Sequence, residues 1–284
     1  MRLGRAARLS RILSASLLSL AASCVGGATA ATADQVPAFG DSAGIHVVST
    51  ERLDPRLYSV RVSSGALGRA VDVRVLLPAG YADQPATRYP VLYLFHGTSG
   101  RASDWTTLGD AERTTAGLPL IVVMPDAGFD GDGGGYFTDW YNDGAGGPPR
   151  WETFHIDQVL PWIDHTLRTV AERRGRAIYG LSQGGFGSMS YAARHPDLFV
   201  AAGAYSGAVD TAADPEAIAL MTPIVIGTTF GLDGKPPDSI FGPRLTEELN
   251  WRAHDEAIRC GYECALAHID HIKGSVTDAH RLSK

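Results

Sequence analysis

The stretch AIYGLSQGGFGSM, Ala177–Met189, constrains this chain more than any other. Its apolar residues suit a buried strand, and Gly180, Gly184 and Gly185 surround a serine where the chain must turn. Gly180-Leu181-Ser182-Gln183-Gly184 fits G-x-S-x-G, a strand that turns abruptly into a helix with a serine hydroxyl at its tip. A serine is a weak nucleophile until a base takes its proton. A chain with 33 glycines meets this pattern by chance often enough, so its surroundings carry the weight.

Those surroundings read as an α/β sheet. LYSVRVSS (57–64) and AVDVRVLLP (70–78) alternate as two antiparallel strands, with Gly65 and Gly68 in the turn between them. YPVLYLFHG (89–97) and LPLIVVMPD (118–126) are apolar almost without a break, as strands covered on both faces are. Residues 127–150, rich in glycine, aspartate and aromatics, read as a long loop. From Trp151 to about Arg174 apolar residues recur at helical spacing, and Pro161 either bends that helix or marks its effective start. The strand RAIYGLS, a helix to about His195 and the strand LFVAAGAYSG follow. This order predicts a doubly wound, mostly parallel sheet.

The first 33 residues stand apart. Arg2, Arg5, Arg8 and Arg11 precede an apolar run, Ile12–Ala22, and small residues follow up to Ala33. That is the n-region, h-region and cleavage site of a secretory signal, with cleavage after Ala30 or Ala33. The run is too short to span a bilayer, so no transmembrane segment is expected. Cys24 admits a lipoprotein alternative, against which Ala21 stands where a larger aliphatic residue is usual. Without those four arginines, 21 basic residues face 31 acidic ones, a formal charge of −10. No basic stripe offers itself to phosphate, so nucleic acid is not an expected partner. The expected location is outside the cell.

At the elbow, the helix that starts after Ser182 turns its free N–H groups toward the reaction centre. The Gln183 N–H is placed to hold an oxyanion. A second donor is expected from the glycine-rich loop HGTSG (96–100), with the Thr98 N–H as the candidate. Losing one such donor typically costs about 10²–10³ in rate.

Four stretches make the chain resemble a known family: YPVLYLFHG, GGGYFTDWYN (133–142), WETFHIDQVLPWID (151–164) and YGLSQGGFGSMSYAARHPDLFVAAGAYSG (179–207). IFGPRLTEELNWRAHD (240–255) adds to them. They resemble the esterase branch of the α/β-hydrolases that includes the antigen 85 mycolyltransferases, S-formylglutathione hydrolase and feruloyl-type esterases. The resemblance covers about 46 to 255 and implies an α/β-hydrolase fold, Ser182 as nucleophile, and the N–H groups of Thr98 and Gln183 as oxyanion hole. It implies no cofactor and no metal. The substrate it implies is a small-molecule, lipid or carbohydrate ester. His96, Trp105, Asp139 and Trp140 would line the substrate site. For Trp105, Asp139 and Trp140, a buried aromatic or a turn-capping aspartate is at least an equal reading. His96 and Ser99 stand where mycolyltransferases carry an aspartate and an arginine, which favours an esterase over a sugar-dependent acyltransferase. Acyl transfer to a sugar or glycerol-lipid hydroxyl is the alternative, and a non-catalytic binding homologue is a third reading.

The resemblance stops near Asp255. Residues 256–284 contain no run apolar enough for a core strand and no recognisable acid or histidine motif. The expected organisation is a signal at 1–33, a hydrolase domain at 34–255 and a divergent tail at 256–284. Whether the last strands are complete, or the C-terminus altered by truncation or a shifted frame, stays open here. A base from the tail would be His268, His271 or His280, with Asp255, Asp270 or Asp278 behind it; Asp210 is an acid from an earlier strand. None is singled out, so the triad acid and histidine are unassigned. Cys260, Cys264 and His268 share a helix face with His271, but i to i+8 rises about 12 Å, too far for one ion. A Cys260–Cys264 disulfide would suit an exported protein if the tail is not one helix.

Overall fold

Two runs that are apolar along their length become the centre of a sheet. They are β4 (Val91–Phe95) and β5 (Ile121–Pro125), which pair in parallel, and β5 is buried at every residue. The computed structural model describes residues 37–129, 134–207, 209 and 238–242, all within the unit Pro37–Lys284. The expected signal segment at 1–33, Asp210, Asp255, Cys260, Cys264, His268, Asp270, His271, Asp278 and His280 lie outside the described residues, as does Cys24.

The other strands are β1 (Ile45–Arg52), β2 (Leu57–Ser64), β3 (Val71–Leu76), β6 (Arg176–Leu181) and β7 (Ala201–Tyr205). Their order is β1-β2-β3-β5-β4-β6-β7, with β5, β4, β6 and β7 mutually parallel and β1 to β3 joined to them antiparallel. The turn between β2 and β3 closes on Ser64, whose carbonyl accepts the Leu67 and Gly68 N–H groups, with Gly68 at φ +71°. β1 has no counterpart in the sequence reading. It is an edge strand, mostly exposed and interrupted by a register shift between Val47 and Ser49, so it carries little apolar period.

Alternation sends neighbouring strand residues to opposite faces. Ile121 and Val123 join the main core with Phe95, Ile178, Trp162 and Tyr191. Val122 and Met124 join a smaller cluster with Leu57, Leu76 and Leu94. The helix α3 (Leu160–Thr166) buries Leu160, Trp162 and Ile163 in the main core, and α4 (Gln183–Arg194) adds Met189 and Tyr191. The short helices α1 (Asp104–Thr107) and α2 (Ala111–Thr114) lie between β4 and β5 in the chain, and Ala111 joins the smaller cluster.

The helix expected from Trp151 to about Arg174 differs from that reading. It runs through a π-helical stretch, Thr153–Val159, into α3 and ends at Thr166. Pro161 sits in the first turn of α3, where its missing N–H is tolerated after the widened turn. Beyond Leu167 the chain is extended: Tyr89 donates to the Arg168 carbonyl and accepts from the Val170 N–H, pairing the segment beside β4. Tertiary pairing overrides the helical period there.

Candidate active site

Ser182 sits between the end of β6 and the first residue of α4 with φ 54° and ψ −118°, a backbone conformation that costs a serine about 1–3 kcal/mol. The surroundings hold it there. Its N–H donates to the Tyr205 carbonyl of β7 at 2.7 Å, and its carbonyl accepts the Phe186 N–H of α4 at 3.1 Å. Space decides the glycines. A β-carbon on Gly180 would stand 2.1 Å from the carbonyl carbon of Gly184, and one on Gly184 would stand 2.4 Å from the Phe95 oxygen. Only bare backbone lets α4 start this close to β4 and β6. The Ser182 side chain is left exposed at the N-terminal end of α4.

The loop after β4 folds against the serine. A β-carbon on Gly97 would lie 3.3 Å from Ser182 Cβ and 3.9 Å from its Oγ. The loop is a tight turn in which the Gly97 carbonyl accepts the Gly100 N–H at 3.0 Å. His96 fastens it from below. Its Nδ1 donates to the Gly97 carbonyl at 2.8 Å, and its Nε2 accepts the Ala127 N–H at 2.8 Å. A carbonyl only accepts and an amide only donates, so this pair of bonds requires the neutral Nδ1–H tautomer. Burial lowers the His96 pKa in the same sense.

The turn after β5 supports that loop. The buried Asp126 carboxylate accepts the Ala102 N–H at 2.6 Å and the Asp72 N–H at 2.8 Å. Burial outweighs these two bonds and pushes its pKa up to about 6. The Asp126 carbonyl accepts His155 Nε2–H at 2.8 Å, so His155 Nδ1 accepts the Tyr191 hydroxyl at 3.0 Å. Packed against Phe95, Phe137, Trp151 and Phe154, His155 is held neutral: burial drops its pKa to about 3. Neither Asp126 nor His155 was singled out in the sequence. His155 lies between the core residues Phe154 and Ile156, and that position is the one signal for its burial.

The other expected site residues fall in three places. Asp139 accepts both the Thr153 N–H, at 3.0 Å, and the Thr153 hydroxyl, at 2.6 Å, at the start of the π-helical stretch. Trp140 is buried and donates its indole N–H to the Gly135 carbonyl at 3.0 Å, bracing the 134–141 loop. Trp105 packs into the smaller cluster, on the sheet face opposite α4. Thr98 and Gln183 come together beside Ser182: Gln183 Nε2 donates to Thr98 Oγ1 at 3.2 Å. Glu152, which bridges Arg194 at 2.9 Å and His195 at 2.7 Å, fastens the end of α4 to the π-helical stretch. Among the described residues, no hydrogen bond joins a histidine to Ser182 Oγ, and no group of His, Cys, Asp and Glu has the arrangement of a metal site.

The sequence profile of the family described as Esterase, Putative esterase, matches residues 64–272. The chain belongs to this esterase family. It is 44% identical to the Mycobacterium tuberculosis protein named esterase Rv1288 over 172 residues, 59% of this chain and 36% of that protein. It is 29% identical over 209 residues to a Mycobacterium bovis diacylglycerol acyltransferase/mycolyltransferase, Ag85A, covering 71% of this chain and 56% of the relative. The chain thus spans about half, or less, of the length of these two relatives. Among solved structures, Mycobacterium tuberculosis MPT51 is similar with a TM-score of 0.51 and 25% identity, over 73% of this chain and 66% of that one. An S-formylglutathione hydrolase from Agrobacterium tumefaciens is similar in fold, with a TM-score of 0.55 and 19% identity over 75% of this chain and 73% of that one. The fold of this family member is the α/β-hydrolase fold, as the sheet order and these neighbours show.

Proposed function

We propose that this esterase-family chain is an exported serine hydrolase of carboxylic esters. The observation that carries the reading is Ser182 itself, exposed, at positive φ before α4, with Gly97 packed against it. In the proposed reaction, a histidine base takes the Ser182 proton while Oγ attacks the ester carbonyl. The N–H groups of Thr98 and Gln183 stabilise the oxyanion, the alcohol leaves with the proton, and water releases the acid from the acyl-enzyme. The base itself is not assigned to a residue. Export rests on the basic, apolar and small-residue pattern of residues 1–33. Among the described residues, no helix is long and apolar enough to cross a membrane.

One observation favours a second reading, transfer of the acyl group to a hydroxyl acceptor. It is the likeness to the relative named as a diacylglycerol acyltransferase/mycolyltransferase. The two readings differ only in what takes the acyl group from Ser182. A fluorophosphonate probe tests both on the full chain: labelling of the wild type and none of Ser182→Ala is expected. A folded wild type that stays unlabelled overturns both and favours a non-catalytic binding role. Added glycerol or sugar acceptors that divert product from acid to ester then select transfer over hydrolysis.

A further inference from the structure

The Gln183 side chain has no part in the reaction as proposed, yet it is buried against the nucleophile. Its Nε2 donates to Thr98 Oγ1 at 3.2 Å, and its Oε1 accepts the Tyr136 N–H at 3.4 Å. The Tyr136 amide can only donate, so the oxygen must face it and the NH₂ must face Thr98. Gly134 makes room for this arrangement, since a β-carbon there would stand 1.8 Å from Oε1. The 134–141 loop is itself held hard. Tyr136 and Phe137 both adopt φ 54°, and Phe137 is fully buried against Phe95, His155 and Tyr191.

We infer that Gln183 is a positioning residue: its side-chain amide ties the Thr98 loop to the 134–141 loop and so sets the distance between the two oxyanion N–H groups. The inference rests on the proposed role of Ser182 for its catalytic consequence, but not for the tether. One residue then supplies a backbone donor and fixes the loop that supplies the other. The Thr98 hydroxyl is the part of that loop that the amide bonds. If the bond matters through Thr98, removing the Thr98 hydroxyl must add little once the Gln183 amide is gone.

The test uses full-length wild type, Gln183→Met, Thr98→Val, their double variant and Thr98→Ser. Amide hydrogen exchange of peptides covering 96–104 reads the tether whether or not the chain turns over. Exchange about tenfold faster in Gln183→Met and Thr98→Val, with unchanged exchange in β1 and β2, is expected. Unchanged exchange over 96–104 overturns the tether. With p-nitrophenyl acetate, each single variant is expected to lower kcat about tenfold, with KM within about twofold, and the double variant to fall no further. Thr98→Ser, which keeps the hydroxyl, should lose less than Thr98→Val. Additive losses in kcat, or faster exchange with kcat unmoved, overturn the positioning role. A wild type that fluorophosphonate does not label defeats the Ser182 reading instead, and the exchange data still decide the tether.

Discussion

Gly97 and Ser182 are in contact across two separate strand ends, with 3.3 Å between the serine's Cβ and the place where a β-carbon on Gly97 would be. That spacing leaves room for a hydrogen and little more. The same methyl would stand 3.4 Å from the Leu181 carbonyl, so the loop and not the elbow must yield. Gly97→Ala is therefore expected to shift the loop by a few tenths of an ångström. An oxyanion donor displaced this way costs more in rate than in stability. The fluorophosphonate labelling rate should fall about tenfold or more, while the thermal midpoint drops by no more than about 4 °C. An unchanged labelling rate would show that the loop does not carry a donor.

The strain at Ser182 gives a prediction that separates stability from chemistry. Ser182→Ala and Ser182→Gly both remove the hydroxyl and should both abolish labelling. Alanine keeps a β-carbon in a conformation that side chains rarely adopt, whereas glycine enters it freely. Ser182→Gly should therefore be more stable than Ser182→Ala by about 1 kcal/mol in urea unfolding. Equal stabilities would mean that the surroundings of the elbow do not store strain.

Asp126 and His155 make opposite demands on pH. His155 has a folded pKa of about 3 against an ordinary 6.5, so its contribution is present above pH 6.5 and is lost as pH falls from there toward 3. Asp126 has a folded pKa of about 6 against an ordinary 3.8, so its contribution is present below 3.8 and is lost as pH rises toward 6. Between about pH 4 and 6 the two slopes, each about 1.4 kcal/mol per unit, oppose one another. Asp126→Asn removes one of them. Its stability should fall steeply as pH drops from 6 to 4, while that of the wild type changes less. In His155→Gln the remaining ionisation of Asp126 should make stability decrease as pH rises through the same window. Denaturant midpoints at pH 4, 5 and 6 check both signs.

Local pattern was enough for much of this molecule. Unbroken apolar runs marked β4 and β5, alternation marked β2 and β3, and the glycines around Ser182 marked the elbow, because burial and backbone space write themselves into neighbouring residues. Where an element is held by something distant, the pattern fails. β1 pairs along an exposed edge and needs no apolar face. The helix after Trp151 stops at Thr166 because the following residues pair with Tyr89, which no period records.

The site divides in the same way. Ser182 was legible because its turn is built from adjacent residues. The Gln183–Thr98 bond, the neutral Nδ1–H tautomer of His96 and the buried Asp126–His155–Tyr191 chain were not, because their partners come from separate parts of the chain. Asp139 offered two readings in the sequence, and its bonds to Thr153 appear only when the 134–141 loop folds back on the π-helical stretch. The sequence by itself determined the sheet class, the elbow and the family, all of which follow from contiguous residues. Tertiary structure alone decided which polar groups meet around the elbow and which histidines are held neutral, because burial and hydrogen-bond partners are properties of the packed chain.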